Sequence, residues 1–190
     1  IYAPENFAGT GYTNVVYGSE GDLKCDRMLL SENAGFDAPR AFKASAISFD
    51  RVFVGNERTT LCLPFDMEVP YGMIVYEMTS STHETITVSP VTKVMKAYTP
   101  YIILPDEDMT IGTEVETTVS ARPNNMPETV VGNYHMIGTL SATSAEDIER
   151  YHLYLLGANN YWNIHSGQAL LPYRAYMQSD CDIRPEQVLM

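Results

Sequence analysis

Ser45-Ala-Ile-Ser-Phe-Asp-Arg-Val-Phe-Val54 alternates buried-type and solvent-type side chains. Ile47, Phe49 and Phe53 fall on one face together with Arg51, while the residues between them fall on the other face. A period of two is typical of a β-strand that buries one side. This stretch therefore predicts a half-buried strand with an arginine on its apolar face.

A second arginine, Arg174, lies in another apolar run at 170–177. An arginine among aromatic residues can bury its stem and stack its guanidinium, but the charge then needs a carboxylate or carbonyl partner. We predict that Arg51 and Arg174 are structural anchors in salt-bridge networks; a ligand-binding role is the alternative. The candidate partners for Arg51 are Asp50, Asp66 and Glu77.

Strand patterns recur along the chain, separated by Pro, Gly and Asn. The alternation at 111–119 is the clearest of them, and Pro64 predicts an edge strand or a break. The only helical signal is one turn capped by Ser144, with Asp147 at the third position. The predicted strands are 13–17, 23–29, 45–54, 61–65, 73–78, 84–88, 101–104, 111–119, 130–140, 151–156, 161–164 and 170–177.

This pattern predicts an all-β fold with less than about 15% helix. We expect an antiparallel β-sandwich, jelly-roll-like, with a closed or partly open β-barrel as the alternative. Residues 1–44 are expected to form a loop-rich lead-in packed on a sandwich domain at 45–178, and 179–190 a C-terminal tail. Because the sequence starts at Ile1 and not at Met, we expect a fragment or a processed form.

Composition excludes several functions. With 45% hydrophobic residues among 190, the chain can bury a sizeable core. Its net charge of −12 argues against nucleic acid and against attraction to anionic membranes. No apolar stretch approaches the length that spans a bilayer, so we expect no membrane insertion of this segment.

The three cysteines are Cys25, Cys62 and Cys181, an odd number that allows at most one internal bridge. None of them has metal-ligand spacing. Cys62, between two leucines, is expected to be buried and poorly reactive. A Cys25–Cys62 bridge is compatible with an oxidising compartment, but the spacing does not require it.

Catalytic and metal-binding patterns are weak. The four histidines stand apart from one another, the acidic turn at 106–108 lacks the spacing of a calcium loop, and Ser166 lacks a nucleophile-elbow frame. We therefore predict no catalytic residues, no metal and no cofactor. The histidines are His83, His135, His152 and His165.

Aromatic residues provide the one predicted binding site. Tyr161 and Trp162 lie between two asparagines, and aromatic side chains on a β surface offer platforms for sugar rings. The alternative is that Trp162 packs over a strand end.

The order of several short motifs resembles the C-terminal domains of secreted and cell-surface proteins of Bacteroides-type gut bacteria, some of which carry leucine-rich repeats. The resemblance covers roughly 23–178. The motifs, in order, are Cys25-Asp-Arg-Met-Leu-Leu-Ser-Glu-Asn33, Phe36-Asp-Ala-Pro-Arg-Ala-Phe-Lys-Ala44, Phe49-Asp-Arg-Val-Phe53, Thr60-Leu-Cys-Leu-Pro-Phe65, Ile74-Val-Tyr-Glu77, Pro100-Tyr-Ile-Ile103, Val131-Gly-Asn-Tyr134, Tyr151-His-Leu-Tyr154 and Leu171-Pro-Tyr-Arg-Ala-Tyr176.

One departure from the family is that Glu57-Arg58-Thr59 stands where its members often have Trp or Gly. The resemblance implies an exported, outer-membrane-associated or extracellular β domain, and it carries over no catalytic residues. The leading hypothesis is a non-enzymatic module for adhesion, display or attachment of a larger protein. Its partners would be a glycan or a host or cell-surface protein, besides other domains of the same chain.

Two other hypotheses remain open. The first is a carbohydrate-binding β-sandwich that uses exposed aromatic residues. The second is a hydrolase with carboxylates that the sequence does not single out.

Overall fold

The computed structural model describes residues 1–4, 7, 11–82, 85–157, 162–163, 167–180 and 187–189, with 162–163 and 187–189 described by their strand pairing. The elements are β1 (Lys24–Cys25), β2 (Met28–Leu30), β3 (Phe42–Ala44), β4 (Ile47–Phe49), β5 (Thr59–Leu61), β6 (Met67–Glu68), β7 (Met73–Ser81), β8 (Thr85–Val91), β9 (Val94–Met95), β10 (Tyr101–Pro105), β11 (Gly112–Thr113), β12 (Thr117–Val119), β13 (Glu128–Val131), β14 (Tyr134–Thr139), α1 (Ala145–Arg150), β15 (Leu155–Leu156), β16 (Trp162–Asn163), β17 (Arg174–Ser179) and β18 (Gln187–Leu189).

The protein is an all-β protein, as predicted. Helix accounts for 4% of it, which confirms the expected low helix content. The largest sheet has five strands in the order β18-β8-β7-β10-β5, and three further sheets have the orders β1-β3-β12, β11-β4-β2 and β13-β14-β17. Within the described ranges none of these sheets closes into a barrel, so the predicted alternative of a closed barrel is not found.

Most strand pairs are antiparallel, but three are parallel: β1 with β3, β2 with β4, and β8 with β18. Two of the parallel pairs involve strands from the first 44 residues. The segment 1–44 also shares a hydrophobic core with later strands, through residues such as Leu30 and Phe42 beside Phe49 and Phe53. The loop-rich start of the chain is therefore hydrogen-bonded into the sheets.

The segment that opens the sequence has the predicted facing. Ile47, Phe49, Arg51 and Phe53 are buried, and the residues between them are exposed. β4 covers its first part, and Phe53 continues the pairing through an isolated bridge to Met109. The alternation was sufficient to place the Arg51 side chain inside the protein.

The strand predicted at 111–119 is broken in the structure. Val115 should have been buried, yet it is 72% exposed, and the chain bends between β11 and β12. Two threonines stabilise the bend: Thr117 donates to the Val115 carbonyl at 2.8 Å, and Thr113 Oγ1 accepts from the Val115 N–H at 3.1 Å. Threonine hydroxyls compete with the strand ladder for backbone groups in this way.

The predicted strands at 130–140 and 151–156 are also divided. The run at 130–140 is a hairpin of β13 and β14, because Gly132 takes a left-handed φ of 60° at the turn. The run at 151–156 begins with a turn at 151–152 after α1, and only β15 remains of it. The predicted Ser144 cap is confirmed: its hydroxyl accepts from the Asp147 N–H at 3.1 Å.

An edge contact joins the five-stranded sheet to the sheet β13-β14-β17. β5 is an edge strand that ends before Pro64, as predicted. The buried Thr60 hydroxyl accepts from the Ala175 N–H at 2.9 Å and donates to the Ala175 carbonyl at 3.1 Å. One side chain thereby replaces a pair of ladder hydrogen bonds between β5 and β17.

Candidate functional site

Two arginines from distant strands converge on one carboxylate beside this junction; we call Arg51, Arg174, Glu32 and Thr59 the arginine cluster. Glu32 Oε1 lies 3.4 Å from Arg51 Nε and accepts from Arg174 Nη2 at 2.5 Å. The Thr59 hydroxyl accepts from Arg51 at 2.6 Å and lies 3.4 Å from Arg174 Nη1. Arg51 also donates to the Thr60 carbonyl at 3.1 Å.

The expected kind of contact for Arg51 is confirmed, but none of the three predicted carboxylates supplies it. Its guanidinium lies over the Phe53 ring at 4.4 Å, as the aromatic flanking predicted. Asp50 is on the exposed face, where it accepts from the Glu32 N–H, and Asp66 pairs with Lys96. Glu32 follows β2, which pairs in parallel with β4, and that non-local pairing left no signal in the sequence.

Positive charge is in excess at the arginine cluster. Burial and, after it, the neighbouring charge of Arg174 lower the pKa of Arg51 to about 9, while Glu32 acts in the opposite direction. Arg51 is 4% exposed, so its charge is almost fully removed from water. The guanidinium remains protonated at neutral pH, and the cluster holds two cations for one carboxylate among the described residues.

A second ion-paired group, which we call the histidine clamp, lies on the sheet β13-β14-β17. His135 of β14 contacts Glu128 of β13 through Nδ1 at 2.5 Å and Asp180, just after β17, through Nε2 at 3.1 Å. The hydrogen bond to Glu128 is the main cause that raises the pKa of His135, and Asp180 acts in the same direction. The imidazole therefore links all three strands of this sheet.

The histidine clamp borders a cavity of about 360 Å³, which we call the histidine–tyrosine cavity. Tyr151 is 54% exposed at its rim, and Tyr154 lies almost buried in its wall. The other described lining residues have polar side chains, which combine hydrogen-bond donors with acceptors. The lining residues are His135, Tyr151, His152, Tyr154, Gln178, Ser179 and Asp180.

α1 and β17 position this cavity. Tyr151 caps the C-terminus of α1, donating its N–H to the Asp147 carbonyl, and the Arg150 guanidinium lies 5.4 Å from its ring. Tyr154 pairs with Met177 through backbone hydrogen bonds in both directions, which places it beside Gln178. The sequence analysis named the motif at 151–154 but did not predict that it lies beside β17, because that proximity depends on the pairing of Tyr154 with Met177, 23 positions away.

The predicted binding pair is only partly described. Trp162 lies on β16, where its backbone pairs with Leu156, two residues after Tyr154. Tyr161 lies outside the described residues, as do His83, His165, Ser166 and Cys181. The predicted sugar platform and the histidine–tyrosine cavity therefore belong to neighbouring parts of the chain.

The two described thiols are free and buried, so no Cys25–Cys62 bridge forms. Burial raises the pKa of Cys62 to about 12, and it also raises that of Cys25. Both thiols are therefore unreactive at neutral pH, as expected for Cys62. The Cys62 sulfur would lie 2.4 Å from a Cβ added at Gly138, so β14 approaches it too closely for any larger residue.

A wider groove of about 650 Å³ runs along the loop after β12 and includes Asn124, Asn125 and the exposed Arg122–Asp37 ion pair. No group of three His, Cys, Asp or Glu side chains in the described ranges has the arrangement of a metal site. In the described part of the chain the one helix is α1. It has six residues, which is too short to cross a bilayer.

Comparisons with known proteins identify no relative: no family model matches the chain, and neither a curated protein nor a solved structure is similar to it.

Proposed function

We propose that this chain is a non-enzymatic adhesion module of an exported cell-surface protein, and that it binds carbohydrate in the histidine–tyrosine cavity. The observation that carries the proposal is the position of the half-exposed Tyr151 on a cavity that is otherwise lined mainly by polar side chains. A sugar presents an apolar ring face and a circle of hydroxyls. An aromatic ring and fixed polar groups complement these two features.

The state of His135 supports a binding role over a catalytic one. A general base must be neutral and within reach of the proton it takes. The clamp instead holds the imidazole between two carboxylates, and its raised pKa favours the cation. The Asp180 carboxylate is exposed beside this imidazole and is suited to accept hydrogen bonds from hydroxyl groups.

The way in which the sheets pack against one another is part of the same proposal. We propose that the sheets pack as a β-sandwich, with the sheet β13-β14-β17 presenting its His135 face and Tyr134 and Met136 buried behind it. The motif order shared with Bacteroides-type surface proteins supports export and surface attachment. Display or attachment of a larger protein without a glycan ligand is the second candidate, favoured by the same motif order.

A glycan array probed with the 190-residue chain tests the proposal. Tyr151→Ala should weaken glycan binding about tenfold, which corresponds to a loss of about 1.4 kcal/mol in binding free energy. Tyr71→Ala is the matched control, because Tyr71 is fully exposed and lies outside the cavity. If no glycan binds, the carbohydrate proposal is wrong and the display role takes its place. If a glycan binds and Tyr151→Ala binds it like the parent chain, the assignment of the site to this cavity is wrong.

The same array tests the neighbouring aromatic pair. Trp162→Ala should also weaken binding if β16 extends the sugar platform from Tyr154. A loss in Tyr151→Ala without one in Trp162→Ala would restrict the site to the cavity and remove Trp162 from it.

A further inference from the structure

The arginine cluster has an unused donor. Arg174 donates a hydrogen bond to Glu32 through Nη2, and its Nη1 lies 3.4 Å from the Thr59 hydroxyl. Its Nε is buried and has no hydrogen-bond acceptor in the described part of the chain. Buried polar groups in native proteins are nearly always satisfied by a partner. The described residues therefore leave this guanidinium with a donor for which they supply no acceptor.

A small cavity adjoins the same side chain. Its volume is about 150 Å³. Part of its wall is formed by Gln168 and by two members of the arginine cluster, Thr59 and Arg174. Gln168 is exposed, so it stands where a ligand would enter. The remaining wall is mainly aliphatic and includes the buried Leu155 and Leu170.

Charge and shape together define the ligand. Two guanidinium groups against one carboxylate leave a surplus of one positive charge in the described residues, which a monovalent anion would neutralise. A carboxylate matches the fork of an arginine. The leucine wall adds a preference for a short apolar chain, and the volume limits that chain to a few carbon atoms.

We propose that this cavity binds a small monovalent carboxylate with a short aliphatic chain. The carboxylate accepts hydrogen bonds from Arg174 and Gln168, and the aliphatic chain packs against Leu155 and Leu170. The site is separate from the histidine–tyrosine cavity and does not depend on carbohydrate binding.

Titration of the 190-residue chain with sodium acetate, propionate and butyrate tests the proposal, with sodium chloride at equal ionic strength as the reference. The readouts are the NMR resonance of the Arg174 Nε–H and the melting temperature. We expect saturable shifts that strengthen from acetate to butyrate, with sodium sulfate weaker than butyrate. Shifts no larger than those in chloride, or tighter binding of sulfate than of butyrate, would overturn the assignment.

Three variants locate the effect. Arg174→Lys keeps the charge but loses the fork, so butyrate affinity should fall at least tenfold. Arg122→Lys, at an exposed ion pair with Asp37, is the matched control and should leave affinity unchanged. Gln168→Ala alters an exposed residue outside the ion-pair network and should also weaken butyrate binding, which keeps the test valid if Arg174→Lys unfolds. Equal affinity in Gln168→Ala and the parent chain would contradict the proposed entrance.

Discussion

The arginine cluster and the histidine clamp are inverse arrangements of charge. The first holds the buried Arg51 and the partly exposed Arg174 around one carboxylate where two sheets meet, and the second holds one imidazole between two carboxylates on a sheet surface. Arg51 is 4% exposed, whereas the Asp180 side chain of the clamp is 64% exposed. Water can therefore compensate the loss of a partner in the clamp far better than in the cluster.

The largest expected effect comes from removing the shared carboxylate charge. Glu32→Gln leaves two guanidinium groups without a counter-ion, and we expect a loss of about 3 kcal/mol in the free energy of unfolding. Glu128→Gln is the matched substitution in the histidine clamp, and it should cost less than about 1 kcal/mol. Urea denaturation of both variants measures the difference, and equal losses would break the comparison.

Removing one cation from the arginine cluster should cost somewhat less. After Arg51→Ala, Arg174 still pairs with Glu32, so no acid is stranded. The cost comes from the cavity and from the lost hydrogen bond to the Thr60 carbonyl. We expect a loss of about 2–3 kcal/mol. Arg51→Met fills the same space and should lose less than Arg51→Ala in the same titration. A loss below about 0.5 kcal/mol for Arg51→Ala would show that Arg51 is not an anchor.

The hydrogen bonds of Thr60 connect the arginine cluster to the second sheet. Thr60→Val keeps the shape of the side chain but leaves the Ala175 N–H and carbonyl without their partner. We expect a loss of about 1–2 kcal/mol in the free energy of unfolding. Thr79→Val, at an exposed hydroxyl on β7, is the control and should change little. An unchanged Thr60→Val would mean that the two sheets do not depend on this contact.

The comparison also separates what the sequence can predict from what it cannot. The alternation at 45–54 correctly predicted that Arg51 is buried, because the side of a strand on which a residue lies depends on the local sequence. The partner Glu32 was missed because it depends on the parallel pairing of β2 with β4. The histidine clamp was missed for a similar reason: Glu128 and His135 meet only because Gly132 turns the chain between β13 and β14.

Local signals also failed where side chains compete with the backbone. The alternation at 111–119 is regular, but the hydroxyls of Thr113 and Thr117 bind the N–H and the carbonyl of Val115, and the strand breaks there. In contrast, the Ser144 cap is read from neighbouring residues alone and is correct. Periodicity therefore predicted the buried face correctly at 45–54 but failed at Val115, where threonine hydroxyls take the backbone hydrogen bonds.

The smallest expected effect concerns the histidine clamp and depends on pH. The folded pKa of His135 is raised above its ordinary value near 6.5, so folding favours the imidazolium. The clamp's contribution is then fully present below about pH 6.5 and is lost as the pH rises through the folded pKa. Urea denaturation at pH 5.5 and pH 8.5 should show His135→Gln costing about 0.5 kcal/mol more at the lower pH. His152→Gln is the control for a histidine at the same cavity without the two carboxylate contacts. A loss for His135→Gln that is equal at both pH values would show that the carboxylates do not hold the charged imidazole.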